Sequence, residues 1–170
     1  QGEVRGAGGD FSDYIFTTGV GNHQMMLAQF LKWREPGGII TSGSLGVMGT
    51  GLPFAIGSQL ANPGKTVVVV DGDGSFNMSL TDLKVLMELQ LPVKIMIMND
   101  RRMQMVYIWQ KLLYGGRYIA TETVNPDFVK LAEAYNIKAM VCNSRTNLTK
   151  KMEYFMDYTG GPIVMVCDVV

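Results

Sequence analysis

The segment TVVVVDGDGSF, residues 66–76, constrains the fold more than any other part of the chain. Four consecutive valines without polar alternation make a strand buried on both faces, and such strands belong to parallel sheets covered by helices on either side. The run then ends on two aspartates set among glycines. A buried strand that finishes on acid puts carboxylates at the carboxyl edge of its sheet, where open α/β folds bind their ligands.

The remaining chain alternates in the same way. Strands are expected at 14–18, 38–41, 66–70, 93–98, 137–142 and 163–169, and helices at 22–33, 51–61, 79–90, 103–113, 125–135 and 148–158. Ser79 and Asp82 are spaced as a capping pair at the start of the third helix. The implied fold class is α/β: a three-layer, doubly wound, mainly parallel six-stranded sheet with helices on both faces. Glycine-rich residues 1–13 read as a flexible arm or linker, and residues 14–170 as one domain, long enough to bury a sizeable core.

Composition narrows the partners. With 15 basic and 15 acidic residues the formal charge is zero, which gives no electrostatic case for nucleic acid or an anionic membrane surface. No apolar run reaches the roughly 18 residues of a membrane span. Cys142 and Cys167 each sit in an apolar run without C-x-x-C spacing, and read as buried reduced thiols. The chain starts at Gln1 without a signal-like segment, so it is expected to be processed or a piece of a longer protein.

The informative residues follow strands. Gly72 and Gly74 flank Asp73, removing side chains where something approaches the backbone, and Ser75 adds a hydroxyl. The next strand, VKIMIM, also ends in oxygen donors, Asn99 and Asp100. Two strand ends bearing oxygen ligands, with no histidine or cysteine beside them, suit magnesium or calcium rather than zinc. Magnesium takes one or two carboxylates and completes its shell with water and phosphate, so a metal bridging the protein to a phosphorylated cofactor is one reading. The other is that Asp71, Asp73 and Asp100 only form turns, as Asp does in G-D-G and N-D contexts.

The stretch GDGSFNMSLTDL, followed by ND at the end of the next strand, resembles the diphosphate-binding motif of thiamine diphosphate enzymes, which begins with G-D-G and closes with paired asparagines. TTGVGNHQMMLAQFLKW, IITSGSLGVMGTGLPFAIGSQLA, MVYIWQKLLYGGRY and NPDFVKLAEAYNIK follow the order of the C-terminal domain of the acetolactate synthase family, also called acetohydroxyacid synthase. The resemblance covers roughly residues 14–170. It implies a carboligase that decarboxylates pyruvate on thiamine diphosphate and joins the product to pyruvate or 2-ketobutyrate, with Mg2+ as metal.

By position, the resemblance makes Asp73, Asp100 and the backbone carbonyl of Arg102 the metal ligands. It puts Gly72, Gly74 and Ser75 around the diphosphate, and Val20, Asn22 and His23 on its far side. Gly46 and Met48 fall under the cofactor rings, with Met103, Gln104 and Met105 beside the cofactor. Met105 and Trp109 fall at the mouth of the substrate pocket. Asp71 drops out of this site and becomes the strand's terminal residue. Physical grounds accompany the analogy: helix N-termini offer amides to phosphate near Asn22 and Ser75, and His23 can donate to a phosphate oxygen. The plain alternatives are a capping or surface role for His23, core filling for Met48, and a core face for Met105 and Trp109, which sit at i,i+4.

Two departures matter. Asp100 replaces an asparagine, adding a negative charge beside Asp73 and a diphosphate, so cofactor affinity is expected to depend steeply on magnesium. Gln104 replaces a glycine, which costs on the order of 1 kcal/mol or more if the backbone there needs positive φ. The family's enzymes also carry an N-terminal domain, which supplies the glutamate that activates the cofactor, and a middle domain that binds FAD. No catalytic carboxylate of that kind is visible in this chain, so alone it is expected to be inactive, with exposed apolar surface where those domains and a homodimer or higher-oligomer partner, or a regulatory subunit, would pack. Mitochondria or plastids are the expected compartment in a eukaryote, with the fungal-type wording favouring mitochondria, and the cytoplasm in a bacterium. Two alternatives stay open: a related enzyme such as a pyruvate oxidase or benzoylformate decarboxylase, and a divergent, non-catalytic binding or assembly domain.

Overall fold

The computed structural model describes residues 11–32 and 36–169. Most of the expected arm, and the end of the first expected helix at Trp33, lie outside them; Phe11–Asp13 form one 3-10 turn leading into the sheet.

In chain order the strands are β1 (Tyr14–Thr18), β2 (Ile39–Ile40), β3 (Thr66–Gly72), β4 (Lys94–Asn99), β5 (Lys138–Cys142) and β6 (Ile163–Asp168). The α-helices are α1 (Asn22–Phe30), α2 (Gly51–Ala61), α3 (Asp73–Phe76), α4 (Leu83–Leu89), α5 (Gln104–Leu113), α6 (Phe128–Ala134) and α7 (Leu148–Asp157). All six strands are parallel, in the order β2-β1-β3-β4-β6-β5. The chain leaves β1 towards β2, then crosses back to lay β3 on the other side of β1. That reversal opens a crevice above the carboxyl ends of β1 and β3.

The valines of β3 divide between two layers, as a doubly buried strand must. Val67 and Val69 pack with Leu52 of α2, Leu86 of α4 and Phe128 of α6. Val68 and Val70 face the other way, towards Leu27 of α1, and the same side continues to Phe155 of α7. Cys142 and Cys167 are buried, free and in register on β5 and β6. Burial pushes the Cys167 thiol up to about 12, with the neighbouring Cys142 and Asp168 adding to the shift. Lys94, at the start of β4, is also buried; its Nζ donates to the carbonyls of Phe155 at 3.0 Å and Tyr158 at 2.6 Å, closing the end of α7.

Several boundaries differ from the sequence expectation for local physical reasons. Strand β3 continues through Asp71 and Gly72, which pair with Ile97 and Met98. The helix expected at 79–90 is broken into a 3-10 turn, Leu80–Asp82, followed by α4. Ser79 makes no side-chain cap there; Asp82 N–H donates to its carbonyl at 2.9 Å, and the buried hydroxyl has no partner. The helix expected at 125–135 starts only at Phe128, because Asn125 precedes a proline and is disfavoured in helical conformation. Asp127 caps it instead, accepting from the amides of Val129 and Lys130.

Candidate functional site

Four segments converge on the crevice. The turn after β1 carries Val20, Asn22 and His23; the glycine-rich turn before α2 carries Gly46 and Met48. The end of β3 delivers Gly72, Asp73, Gly74 and Ser75, and the loop from β4 into α5 brings Asp100, Arg102, Met103, Gln104 and Met105. All of these residues line one cavity of about 650 Å³. Trp109 does not: it lies one turn further along α5 and is half-exposed. The face it shares with Met105 is not core, since α5 buries no residue.

Glycine lets the walls approach closely. A Cβ on Gly72 would lie 2.7 Å from His23 Nδ1, and one on Gly74 would lie 2.9 Å from the sulfur of Met103. Gly46 has open space around it and a left-handed backbone, φ 61°. Ser75 Oγ accepts from the amide of Gly49 at 2.9 Å, tying the turn before α2 to the β3 loop.

Asp73 is buried at the start of α3, and its Oδ2 accepts from the Arg101 amide at 3.0 Å and from Asn125 Nδ2. The same Asn125 nitrogen donates to Asn99 Oδ1 at 2.9 Å, while Asn77 Nδ2 donates to Asn125 Oδ1 at 3.0 Å. Asn99 Nδ2 in turn donates to Asp168 Oδ1 at 2.8 Å. Asn99 thus turns away from the cavity, and Asp100 is the donor β4 presents to it. Burial pushes the Asp100 carboxyl above the ordinary carboxylate range; the Arg102 amide opposes this, and the charge and hydrogen bond of Asp73 reinforce it.

The strained residue of this loop is Arg101, at φ 56°, and not Gln104. Gln104 is the first residue of α5 and pays no left-handed cost, so the expected backbone penalty is corrected. Its Oε1 is buried without a partner. A second loop locks this one from outside: Met103 N–H donates to the Thr121 carbonyl at 2.7 Å, Thr123 N–H donates to that of Arg101 at 2.9 Å, and the Arg102 guanidinium lies 4.9 Å from the Tyr107 ring, which stacks on Tyr118.

Asp71 also needs correction. It is the penultimate residue of β3, fully buried, with Oδ1 3.2 Å from Nε2 of His23 but without hydrogen-bond alignment. The His23 side chain is itself only 6% exposed, neither a cap nor a surface group. Asp71 Oδ2 has no hydrogen-bond partner and faces the first residue of α2, where a Cβ on Gly51 would lie 2.7 Å away. The positive end of α2 favours a carboxylate there. The carboxylate therefore backs the cavity wall behind His23.

The donors suit a hard cation shared with phosphate. Asp73 and Asp100 stand at adjacent strand ends, Arg102 lines the same cavity, and no group of three or more His, Cys, Asp or Glu among the described residues could form an all-protein cage. Gly72 and Gly74 keep the floor low, and α1 directs its amino end into the cavity at Asn22.

These features define a binding domain for a phosphorylated cofactor at a parallel-sheet switch point. Residues 19–167 match the family described as thiamine pyrophosphate enzyme, C-terminal TPP binding domain, and the chain belongs to that family. Within it, the similarity is to acetolactate synthase. The chain is 48% identical over 91% of its length to the mitochondrial catalytic subunit from Saccharomyces cerevisiae, of which it covers 22%. It is 46% identical over 92% of its length to the mitochondrial enzyme from Schizosaccharomyces pombe, covering 23%. Against the isozyme 2 large subunit of Escherichia coli it is 40% identical over 88% of its length, covering 27%. The chain thus spans about a quarter of the length of these relatives. No helix among the described residues is long and apolar enough to cross a membrane.

Sequence reasoning missed Asn125, the hub of the floor, and the placement of Asp71 behind His23. The signal for Asn125 was present in NPDF: an asparagine held out of the helix by the following proline has its side chain free for another element.

Proposed function

We propose that this chain is the thiamine diphosphate domain of an acetolactate synthase catalytic subunit and that it holds the cofactor's diphosphate through Mg2+. The observation that carries the reading is the meeting of four sequence-separated segments in one cavity, with the carboxylates at its floor and the methionines on its walls. Asp73, Asp100 and the Arg102 carbonyl would hold the cation. Asn22, His23 and the loop of Gly72, Gly74 and Ser75 would receive the diphosphate, and Met48, Met103 and Met105 would pack against the rings. When bound, the cofactor supplies a nucleophilic thiazolium carbon for decarboxylating pyruvate and joining it to a second 2-ketoacid, such as 2-ketobutyrate. Trp109, exposed beyond Met105, would reach that second substrate at the pocket mouth.

The activating glutamate that the resemblance assigns to an N-terminal domain would approach from the open side of the cavity, and FAD would sit on a middle domain. Turnover would therefore need those domains in place. Exposed Met25, Met26, Phe30, Val106, Leu112 and Leu113 on α1 and α5 suit such packing, in a homodimer or larger assembly. Mitochondrial relatives in two yeasts favour the mitochondrion as compartment.

Calorimetric titration of thiamine diphosphate into the chain with excess Mg2+ tests the reading. Saturable binding that chelation abolishes is the expected result, and absence of binding would favour a divergent, non-binding domain. Asp100→Asn sharpens it: the substitution removes one negative charge beside Asp73 and should flatten the magnesium dependence of cofactor binding. An unchanged dependence would sink the role given to Asp100.

A further inference from the structure

We propose that Asn125 is the positioning residue of the cation site: it fixes the Asp73 carboxylate so that Oδ1 is the oxygen offered to the metal. The inference rests on the reading of the cavity given above. Two donors, the Arg101 amide and Asn125 Nδ2, both go to Oδ2 of Asp73. An oxygen already engaged by two protein donors is a poor metal ligand, whereas Oδ1 takes neither donor. Carboxylates that ligate metals are oriented through outer partners of this kind, and losing such a partner typically weakens metal affinity by about 10–100-fold.

The amide of Asn125 can point only one way. Its nitrogen serves two acceptors, Asp73 Oδ2 and Asn99 Oδ1, and its oxygen accepts from Asn77 Nδ2. Turning the amide over would set oxygen against the oxygens of Asp73 and Asn99 and nitrogen against the nitrogen of Asn77. Asn125 also ties together both strand ends that deliver the site, since Asp73 follows β3 and Asn99 ends β4. It stands outside α6, in the loop after the segment that pairs with the Arg101–Met103 loop, so it can serve the floor without disturbing a helix.

The test is the affinity of the chain for Mn2+, read by electron paramagnetic resonance in the presence of thiamine diphosphate, for the unsubstituted chain, Asn125→Ala and Asn77→Ala. Asn125→Ala should weaken Mn2+ binding by about 10–100-fold. Asn77→Ala, which leaves both donors to Asp73 in place but frees the amide to rotate, should weaken it less. Melting of the metal-free proteins separates structure from positioning: a purely structural role would lower the melting temperature and leave the affinity of the folded protein unchanged. If the unsubstituted chain binds and both variants bind equally well, Asn125 has no positioning role. If Asn125→Ala does not fold, Asn125→Leu, which keeps most of the side-chain volume and removes both donated bonds, decides, and unchanged affinity in it overturns the proposal. Failure of the unsubstituted chain to bind Mn2+ with the cofactor would instead overturn the reading of the cavity itself.

Discussion

The floor and the wall of the cavity are built on opposite principles. At the floor, Asp73, Asn99, Asn125, Asn77 and Asp168 form a continuous hydrogen-bonded chain across the ends of β3, β4 and β6, and Asp71 and Ser75 beside it are also buried. On the wall, α1 and α5 bury little beyond the His23 side chain, and leave Met25, Met26, Phe30 and Val106 exposed to solvent. A buried polar floor is rigid because each lost partner exposes another unsatisfied group. An apolar wall with one side in water is complete only when something covers it. The contrast teaches that, on the proposed reading, the charge-bearing half of the site is set by this chain, while the half that would face the cofactor rings and substrate offers apolar surface for a partner to cover.

Four measurements press on that contrast. The largest effect is expected at Asp73: Asp73→Ala removes a proposed ligand outright and should cost more cofactor and cation affinity than the roughly 100-fold upper range for an outer partner, measured by calorimetry. Next comes Gly19→Ala. A Cβ there would overlap Asp71 Oδ1 and Ser75 Oγ, so the floor must shift, at about 1–3 kcal/mol of stability in urea denaturation. An unaltered midpoint would show the floor to be softer than its hydrogen bonds imply.

The third measurement is a pH profile. The folded Cys167 thiol is pushed up to about 12 from its ordinary 9.0, so the unfolded chain loses this proton first. The stability linked to the neutral thiol is fully present below pH 9.0 and is lost as pH rises from there towards about 12. Cys167→Ala should flatten that fall, and a disulfide-exchange reagent at neutral pH should leave the folded thiol unmodified. The smallest effect belongs to the wall: Phe30 is 77% exposed, and Phe30→Ala should change stability by no more than about 0.5 kcal/mol. A larger loss would mean that α1 is more tightly held than its exposure suggests.

The sheet was legible because doubly buried strands are continuous apolar runs, and all six strands fall within one or two residues of their expected ends. Helix starts were harder to read, since they depend on particular side chains. Ser79 looked like a cap and makes none, whereas Asp127, beside a proline, does the capping at α6. Composition of the cavity wall was readable from the strand-end rule and the resemblance together. What lay beyond it was the second layer: Asn125 is far in sequence from both Asp73 and Asn99, and only the crossing of the chain brings them together. Asp71 was placed within one residue of its position in the strand and outside the cavity lining. Its setting was not legible for a related reason: only the folded chain shows that His23 and the start of α2 close over it.

The central claim is that this domain grips a diphosphate through a cation on its polar floor. Its most direct test is the affinity of the chain for thiamine diphosphate as Mg2+ is titrated from chelated to saturating. The account predicts no measurable binding without the cation and saturable binding with it, lost in Asp73→Ala. Binding that is equally strong after chelation, or that survives in Asp73→Ala, would contradict it.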